Sequence, residues 1–149
     1  MASIGWPQVF WFAALASVIG VLILLLNEFE KRRRPKVKLV PDTKTQGCRV
    51  EIRNRASRPL QVKEVGLLVG NRARLPIKRD FWSCGDQVEA RGSLDATADM
   101  EVILRLGHQC RKLGGGSSVD VRGYCESALE ERRQSKPVAF VSPTGWVVD

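Results

Sequence analysis

The chain has little of what hydrolytic or phosphoryl-transfer chemistry requires. His108 is its one histidine, which excludes a metal site of the His-Glu-x-x-His kind. There is no Gly-x-Ser-x-Gly elbow to carry a nucleophile, and no Gly-x-x-x-x-Gly-Lys loop to wrap phosphates in backbone amides. Gly114, Gly115, Gly116, Ser117 and Ser118 form a glycine-rich stretch, but no lysine follows it, and it reads as a flexible connection. Asp80, Asp86 and Asp99 have no partner base among histidines, and loop solubility accounts for them. No catalytic residue, cofactor or metal is expected, and the chain reads as a non-enzyme, with a nuclease or hydrolase of unrecognised geometry as the alternative.

Charge is missing from one place in particular. Residues 7–26 are twenty consecutive positions without a charged side chain. At about 1.5 Å per residue a helix of this length covers roughly 30 Å, the hydrocarbon thickness of a bilayer. Nor is there a Lys or Arg before this run, and Leu22, Ile23, Leu24, Leu25 and Leu26 are bulky where a signal peptidase needs small side chains. A cleaved signal peptide is therefore a poor fit, and an uncleaved signal-anchor a good one. The expected order is a short head at 1–6, a transmembrane helix at 7–26, a basic juxtamembrane linker at 27–36 and a β domain at 37–149.

Lys31, Arg32, Arg33 and Arg34 give the span a direction. The positive-inside bias places the domain in the cytoplasm and the head outside, with the opposite topology as the alternative. Trp6, Phe10, Trp11 and Phe29 lie towards the ends of the run, where amphipathic rings prefer the headgroup layer. Ala13, Ala16, Ser17 and Gly20 recur at spacings of three and four, a small-residue stripe along which a second copy could pack.

Beyond the span, two-residue alternation dominates. Residues 36–40 set Val37 and Leu39 against Lys36 and Lys38, and residues 48–53 alternate as strictly, so both read as half-buried strands. Leu60, Val62, Val65, Leu67 and Val69 continue the rhythm with a slip between 62 and 65 that predicts a bulge. Gly70 and Asn71 predict a hairpin into residues 72–77. A loop is expected at 78–86, a short strand at 87–90, and a further strand where Met100, Val102, Leu104 and Leu106 alternate. Residues 119–121 read as a strand and 124–134 as the one short helix, with Cys125, Ala128 and Leu129 on a shared face. A last hairpin is expected around Ser142, Pro143, Thr144 and Gly145. Many short strands and no βαβ alternation predict a mainly β, antiparallel sandwich.

Val-Glu-Ile-Arg-Asn-Arg-Ala-Ser-Arg-Pro at 50–59, followed by Val62, Val65, Gly66 and Leu67, resembles the opening of small immunoglobulin-like modules. Val-Ala-Phe-Val-Ser-Pro-Thr-Gly-Trp at 138–146 is similar to the hairpin that closes them after a short helix. Such modules stand behind single membrane spans in bacterial and phage proteins, mostly without an assigned activity. The resemblance implies an architecture and no catalysis.

The net charge is +8, with 24 basic and 16 acidic residues. It is uneven: residues 49–79 hold nine Lys or Arg against two acidic residues, and residues 80–101 hold one against six. By the two-residue period Arg49, Glu51 and Arg53 share one strand face, and Arg55 and Arg58 lie in the turn that follows. Arg49, Arg53, Arg55 and Arg58, with the juxtamembrane Lys31, Arg32, Arg33 and Arg34, are the candidate contacts for anionic membrane lipid. A homo-oligomer through the span and an unidentified protein partner are the other associations considered. Nucleic acid is not expected, for want of any recognised motif.

Four cysteines, Cys48, Cys84, Cys110 and Cys125, are even in number, as in exported disulfide scaffolds. The cytoplasmic orientation instead predicts thiols, with Cys48 and Cys125 in the core. Bridges involving Cys84, Cys110 or Cys125 would accompany an exported, disulfide-stabilised binding domain, and a phage or cell-envelope assembly component that oligomerises through the span is a further alternative. Zinc on His108 and Cys110, sharing a strand face, is a third reading that no Cys-x-x-Cys pair supports.

Overall fold

Without a charge to solvate or an amphipathic pattern to satisfy, residues 7–26 fold as part of one long helix. The computed structural model describes residues 5–77, 87–129 and 131–148. The chain divides into two units, Met1–Arg34 and Pro35–Asp149. The first is the helix α1, Trp6–Arg33, and none of its residues is buried. Pro7 is tolerated in its first turn, where an N–H would lack an intrahelical partner anyway. Lys31, Arg32 and Arg33 occupy the last turn, where cations meet the negative end of the helix dipole. Lys31 also pairs with Glu28 at 3.1 Å. These helix-favouring charges carry α1 through residues 27–33, so only Arg34 and Pro35 separate it from the first strand. Among the described residues, α1 is the one helix long and apolar enough to cross a membrane.

The second unit is mainly β. Its elements are β1 (Lys36–Pro41), β2 (Cys48–Arg53), β3 (Leu60–Val69), β4 (Ala73–Pro76), β5 (Gln87–Val88), β6 (Ser93–Thr97), α2 (Met100–Gly114), β7 (Val119–Ser127), β8 (Arg132–Gln134), β9 (Val138–Val141) and β10 (Gly145–Val147). Every strand pairing among the described residues is antiparallel. A small sheet has the order β1-β2-β6, and a larger one β10-β9-β7-β3-β4, with β5 added on β3 and β8 on β7. The β3–β7 register shifts between Val62 and Glu64, where the apolar rhythm slips. Gly70, Asn71 and Arg72 connect β3 to β4, and Gly70 and Asn71 both have positive φ as the central residues of a turn closed by the Arg72 N–H on the Val69 carbonyl at 3.2 Å.

Val65, Leu67, Val69, Val121 and Cys125 form the inner face of the larger sheet. Gly123 lies among them because Val50 of the small sheet packs on it: a Cβ there would come within 3.1 Å of both Val50 methyls. The small sheet contributes Val37, Leu39, Val50 and Ile52 to the same core.

Two assignments from periodicity are corrected. The expected strand through Met100, Val102, Leu104 and Leu106 is helix α2. The Asp99 carboxylate caps it by accepting from the Val102 N–H at 2.9 Å, and left-handed Gly115 ends it by donating to the Arg111 carbonyl at 3.0 Å. Val102, Leu106 and Cys110 recur every four residues on its buried side. Thus Gly114 and Gly115 terminate a helix, and Asp99 is a cap. Conversely, the helix expected at 124–134 is β7 running on to Ser127, a turn closed by Ser127 N–H on the Glu131 carbonyl at 2.9 Å, and β8. The inward positions Val119, Val121, Gly123 and Cys125 follow a period of two, and pairing with β3 and β8 outweighs the local helical pattern. The loop expected at 78–86, with Asp80, Cys84 and Asp86, lies outside the described residues.

Candidate functional site

Strand alternation turns Val50 and Ile52 inward, and therefore Arg49 and Arg53 outward. The two arginines do not share one environment. Arg49 is tied to its strand neighbour Glu51, with Nη2 at 2.9 Å and Nε at 3.1 Å from the same carboxylate oxygen. Arg53, Arg55 and Arg58 are exposed. In the sheet register Lys36 stands beside Arg53 on one side and Ser93 on the other. The end of the domain at which Pro35 leads into β1, the proximal end, thus carries Lys36, Arg53, Arg55, Arg58 and Arg91. Arg49 lies four residues up the strand, about 13 Å away, nearer the opposite end.

One buried side chain organises this end. Asn54 is 2% exposed. Its amide Nδ2 donates to the carbonyls of Arg58 at 2.7 Å, Glu89 at 3.1 Å and Val88 at 3.3 Å. Its Oδ1 accepts from the Ala56 N–H at 3.0 Å, and its own N–H donates to Gly92 at 2.9 Å. Arg91 N–H closes the set on the Ala56 carbonyl at 3.1 Å. The turn bearing Arg55 and Arg58 is therefore stitched to the turn bearing Arg91. Asn54 stood out in the sequence only as a turn residue, and a buried Asn between an arginine-rich turn and a strand is the signal that would have found this arrangement.

A groove of about 360 Å³ opens at the same end. Pro35, Pro59 and Leu60 form one wall, and the β7–β8 turn with Ala128 and Leu129 forms another. Arg133 and Glu131 supply its charge, 3.5 Å apart. The Arg133 Nε is buried and has no hydrogen-bond partner among the described residues.

The outer face of the larger sheet holds a polar cluster that periodicity did not disclose. Tyr124, fully buried, sits under the guanidinium groups of Arg74 and Arg132, 5.1 and 5.6 Å from its ring centre. Its hydroxyl donates to Glu64 and accepts from Arg74 Nε at 3.1 Å. Arg74 also reaches Glu64 at 2.7 Å and Glu126 at 2.6 Å. Glu126 further meets Arg132 at 3.4 Å and Lys63 at 3.8 Å. Burial, reinforced by the bond to Glu64, pushes the Tyr124 hydroxyl up to about 12. For Glu126 burial acts upward, but Arg74, Arg132 and Lys63 outweigh it and leave the carboxyl below its ordinary value. The Arg74 guanidinium is raised above its own, first through its bond to Tyr124. Both carboxylates are engaged by cations and the Tyr124 hydroxyl is bonded to Glu64 and Arg74, so the cluster seals a sheet face and presents no unengaged carboxylate or phenol.

Cys48 and Cys110 are buried free thiols, and burial pushes them up to about 12 and about 11. Cys125 is also buried, and Cys84 lies outside the described residues. The zinc reading fails on placement: His108 and Cys110 lie on α2, not on a strand, His108 exposed and Cys110 buried. Among the described residues no three His, Cys, Asp or Glu side chains are grouped to hold a metal ion.

Lys31, Arg32, Arg33 and Arg34 are exposed at the end of α1. Along the helix, Ala13, Ala16, Ser17 and Gly20 are exposed too, and a Cβ added to Gly20 would meet nothing within 4 Å. The Ser17 hydroxyl is already committed to the Ala13 carbonyl at 2.9 Å.

The class defined by these features is a mainly β domain of antiparallel sheets following an N-terminal helix long and apolar enough to cross a membrane. No protein-family model matches the chain, and a search of curated proteins likewise finds no match.

Proposed function

We propose that the chain is a single-pass membrane protein holding an immunoglobulin-like sandwich at the cytoplasmic face, where the domain serves as a non-catalytic binding module that rests on anionic lipid. The observation that carries this reading is the proximal end: Lys36, Arg53, Arg55, Arg58 and Arg91 are exposed there. This is also the end that chain connectivity ties to α1, through Arg34 and Pro35 alone. A basic side chain close to an anionic leaflet contributes about 1 kcal/mol, so several together suffice for a tethered domain. The packing of Val50 over Gly123 between the two sheets supports the sandwich part of the reading.

Lys31, Arg32, Arg33 and Arg34 support the cytoplasmic orientation through the positive-inside bias. A reporter fused after Asp149 tests that orientation in cells. Lipid contact is tested by hydrogen exchange on the full chain reconstituted in bilayers. Backbone amides of residues 55–58 and 60 are expected to exchange more slowly in anionic than in neutral bilayers at low salt, and the difference should vanish at about 0.5 M salt. Equal exchange in both bilayers rejects the lipid contact.

A further inference from the structure

We propose that the groove at the proximal end seats one anionic phospholipid, its phosphate on the Arg133 guanidinium and its glycerol region against Pro35, Pro59, Leu60 and Leu129. This rests on the reading that the proximal end faces the bilayer, and adds a defined site to what would otherwise be diffuse attraction. Three observations lead to it.

The first is chemical. Arg133 faces the same side of the sheet as its register partner Cys125, with β1 packed beside β8. Its Nε is buried without a partner among the described residues, and its ion pair to Glu131 is long at 3.5 Å. The Nε itself is closed to solvent, so a ligand meets the rest of the guanidinium, which lines the groove on a 31% exposed side chain, and a phosphate diester oxygen is an acceptor that suits guanidinium geometry well. The second is apolar. Leu129 is 85% exposed at the tip of the tight β7–β8 turn, a position where polar residues are usual. One exposed leucine is unremarkable alone, but this one rims a groove walled by two prolines and Leu60. The third is electrostatic: Arg58 directly precedes the lining residue Pro59, and Arg53, Arg55 and Arg91 are exposed at the same end of the domain, outnumbering the acidic Glu89 and Glu131, an excess that draws in an anion and disfavours a cation.

A cavity of about 360 Å³ is within the range that encloses small ligands. Free phosphate would satisfy Arg133 and leave the apolar wall bare. An apolar molecule would do the reverse. A phospholipid satisfies both, and chain connectivity delivers the groove to a source of it.

The experiment counts lipids retained by the full chain in detergent, by native mass spectrometry, with phosphatidylglycerol or phosphatidylcholine supplied. One phosphatidylglycerol per chain is expected to persist through a high-salt wash, and phosphatidylcholine is not. Arg133→Gln is expected to lower occupancy of that lipid at least tenfold. Leu129→Asp, at an exposed turn tip where folding is not at stake, is expected to do the same. Equal retention of both lipids, displacement by millimolar inorganic phosphate, or unchanged occupancy in Leu129→Asp overturns the site. If the groove variants keep their lipid while slowed exchange at residues 55–58 and 60 in anionic bilayers persists, the site fails and the lipid-facing reading stands. If that exchange difference is absent as well, both fail.

Discussion

Gly66 stands opposite Tyr124 in the β3–β7 register, and the Tyr124 hydroxyl fills the space that a side chain on Gly66 would need. A Cβ there would lie 2.8 Å from the hydroxyl and 2.8 Å from the Pro76 Cα, and closer still to the Leu75 carbonyl oxygen. Two of these neighbours are backbone, so the strand pair itself must part to admit a methyl group. The glycine is what lets the tyrosine lie down on the sheet between its two arginines.

Gly66→Ala is therefore expected to destabilise the domain by about 1–3 kcal/mol through overpacking, and to lower the melting temperature by several degrees. Tryptophan fluorescence or near-ultraviolet circular dichroism of the full chain in detergent reads this directly. A variant that melts with the wild type would mean that Tyr124 does not sit over β3.

Acid stability is expected to depend on Glu126. Its folded pKa is depressed, because Arg74, Arg132 and Lys63 outweigh burial. Its contribution to stability is thus complete above the unfolded value of 4.5 and is lost as pH falls through the lower folded value. Glu126→Gln should flatten the acid limb of the stability profile below about pH 5 and leave its neutral slope unchanged. An acid limb as steep as that of the wild type would contradict the pairing.

At alkaline pH the sign reverses. Tyr124 and Cys48 have raised folded values of about 12, against ordinary values of 10 and 9. Each favours the neutral group in the folded state, with full effect below the unfolded value and loss as pH climbs towards 12. Tyr124→Phe should remove the part of the alkaline loss that begins near pH 10 and retain the part from Cys48 that begins near pH 9. Identical alkaline profiles for the two proteins would sink this assignment.

Cys48 and Cys110 are expected to resist alkylation in the native chain and to react fully in denaturant. Raising a thiol from 9 to about 12 cuts its thiolate fraction roughly a thousandfold, before access is considered. Mass spectrometry after iodoacetamide treatment with and without urea makes the comparison. Prompt native labelling of Cys48, or a bridge involving Cys110 under non-reducing conditions, would contradict the buried free thiols.

How far the sequence carried depends on whether one local pattern had a rival. Strands β1 and β2 alternate charge and aliphatic side chains so strictly that no helix fits them, and the positive φ of Gly70 and Asn71 follows from their identity. Through residues 100–110 two rhythms coincide: Met100, Val102, Leu104 and Leu106 alternate, yet Val102, Leu106 and Cys110 recur every fourth residue. Asp99 and Gly115 decide between them, as cap and stop. In β7 the difficulty is opposite, because Tyr124 and Glu126 are buried on the face that should look polar, under cover of Arg74 and Arg132. The outward Arg49 and Arg53 were legible from alternation, and Arg55 and Arg58 from the turn residues around them. The groove was not, since Pro35, Pro59, Leu129 and Arg133 meet only through sheet pairing and share no spacing.

The hydrogen bonds of Asn54 bear on how fast and how well the arginine-rich turn can engage a surface. Residues 55–58 are held in shape before any contact forms, with Ala56 bonded on both its N–H and its carbonyl. Immobilising a loose backbone costs about 1–2 kcal/mol per residue, a charge already met here during folding. Contact can then retain nearly all the attraction of Arg55 and Arg58, and encounter need not wait for the turn to find its shape.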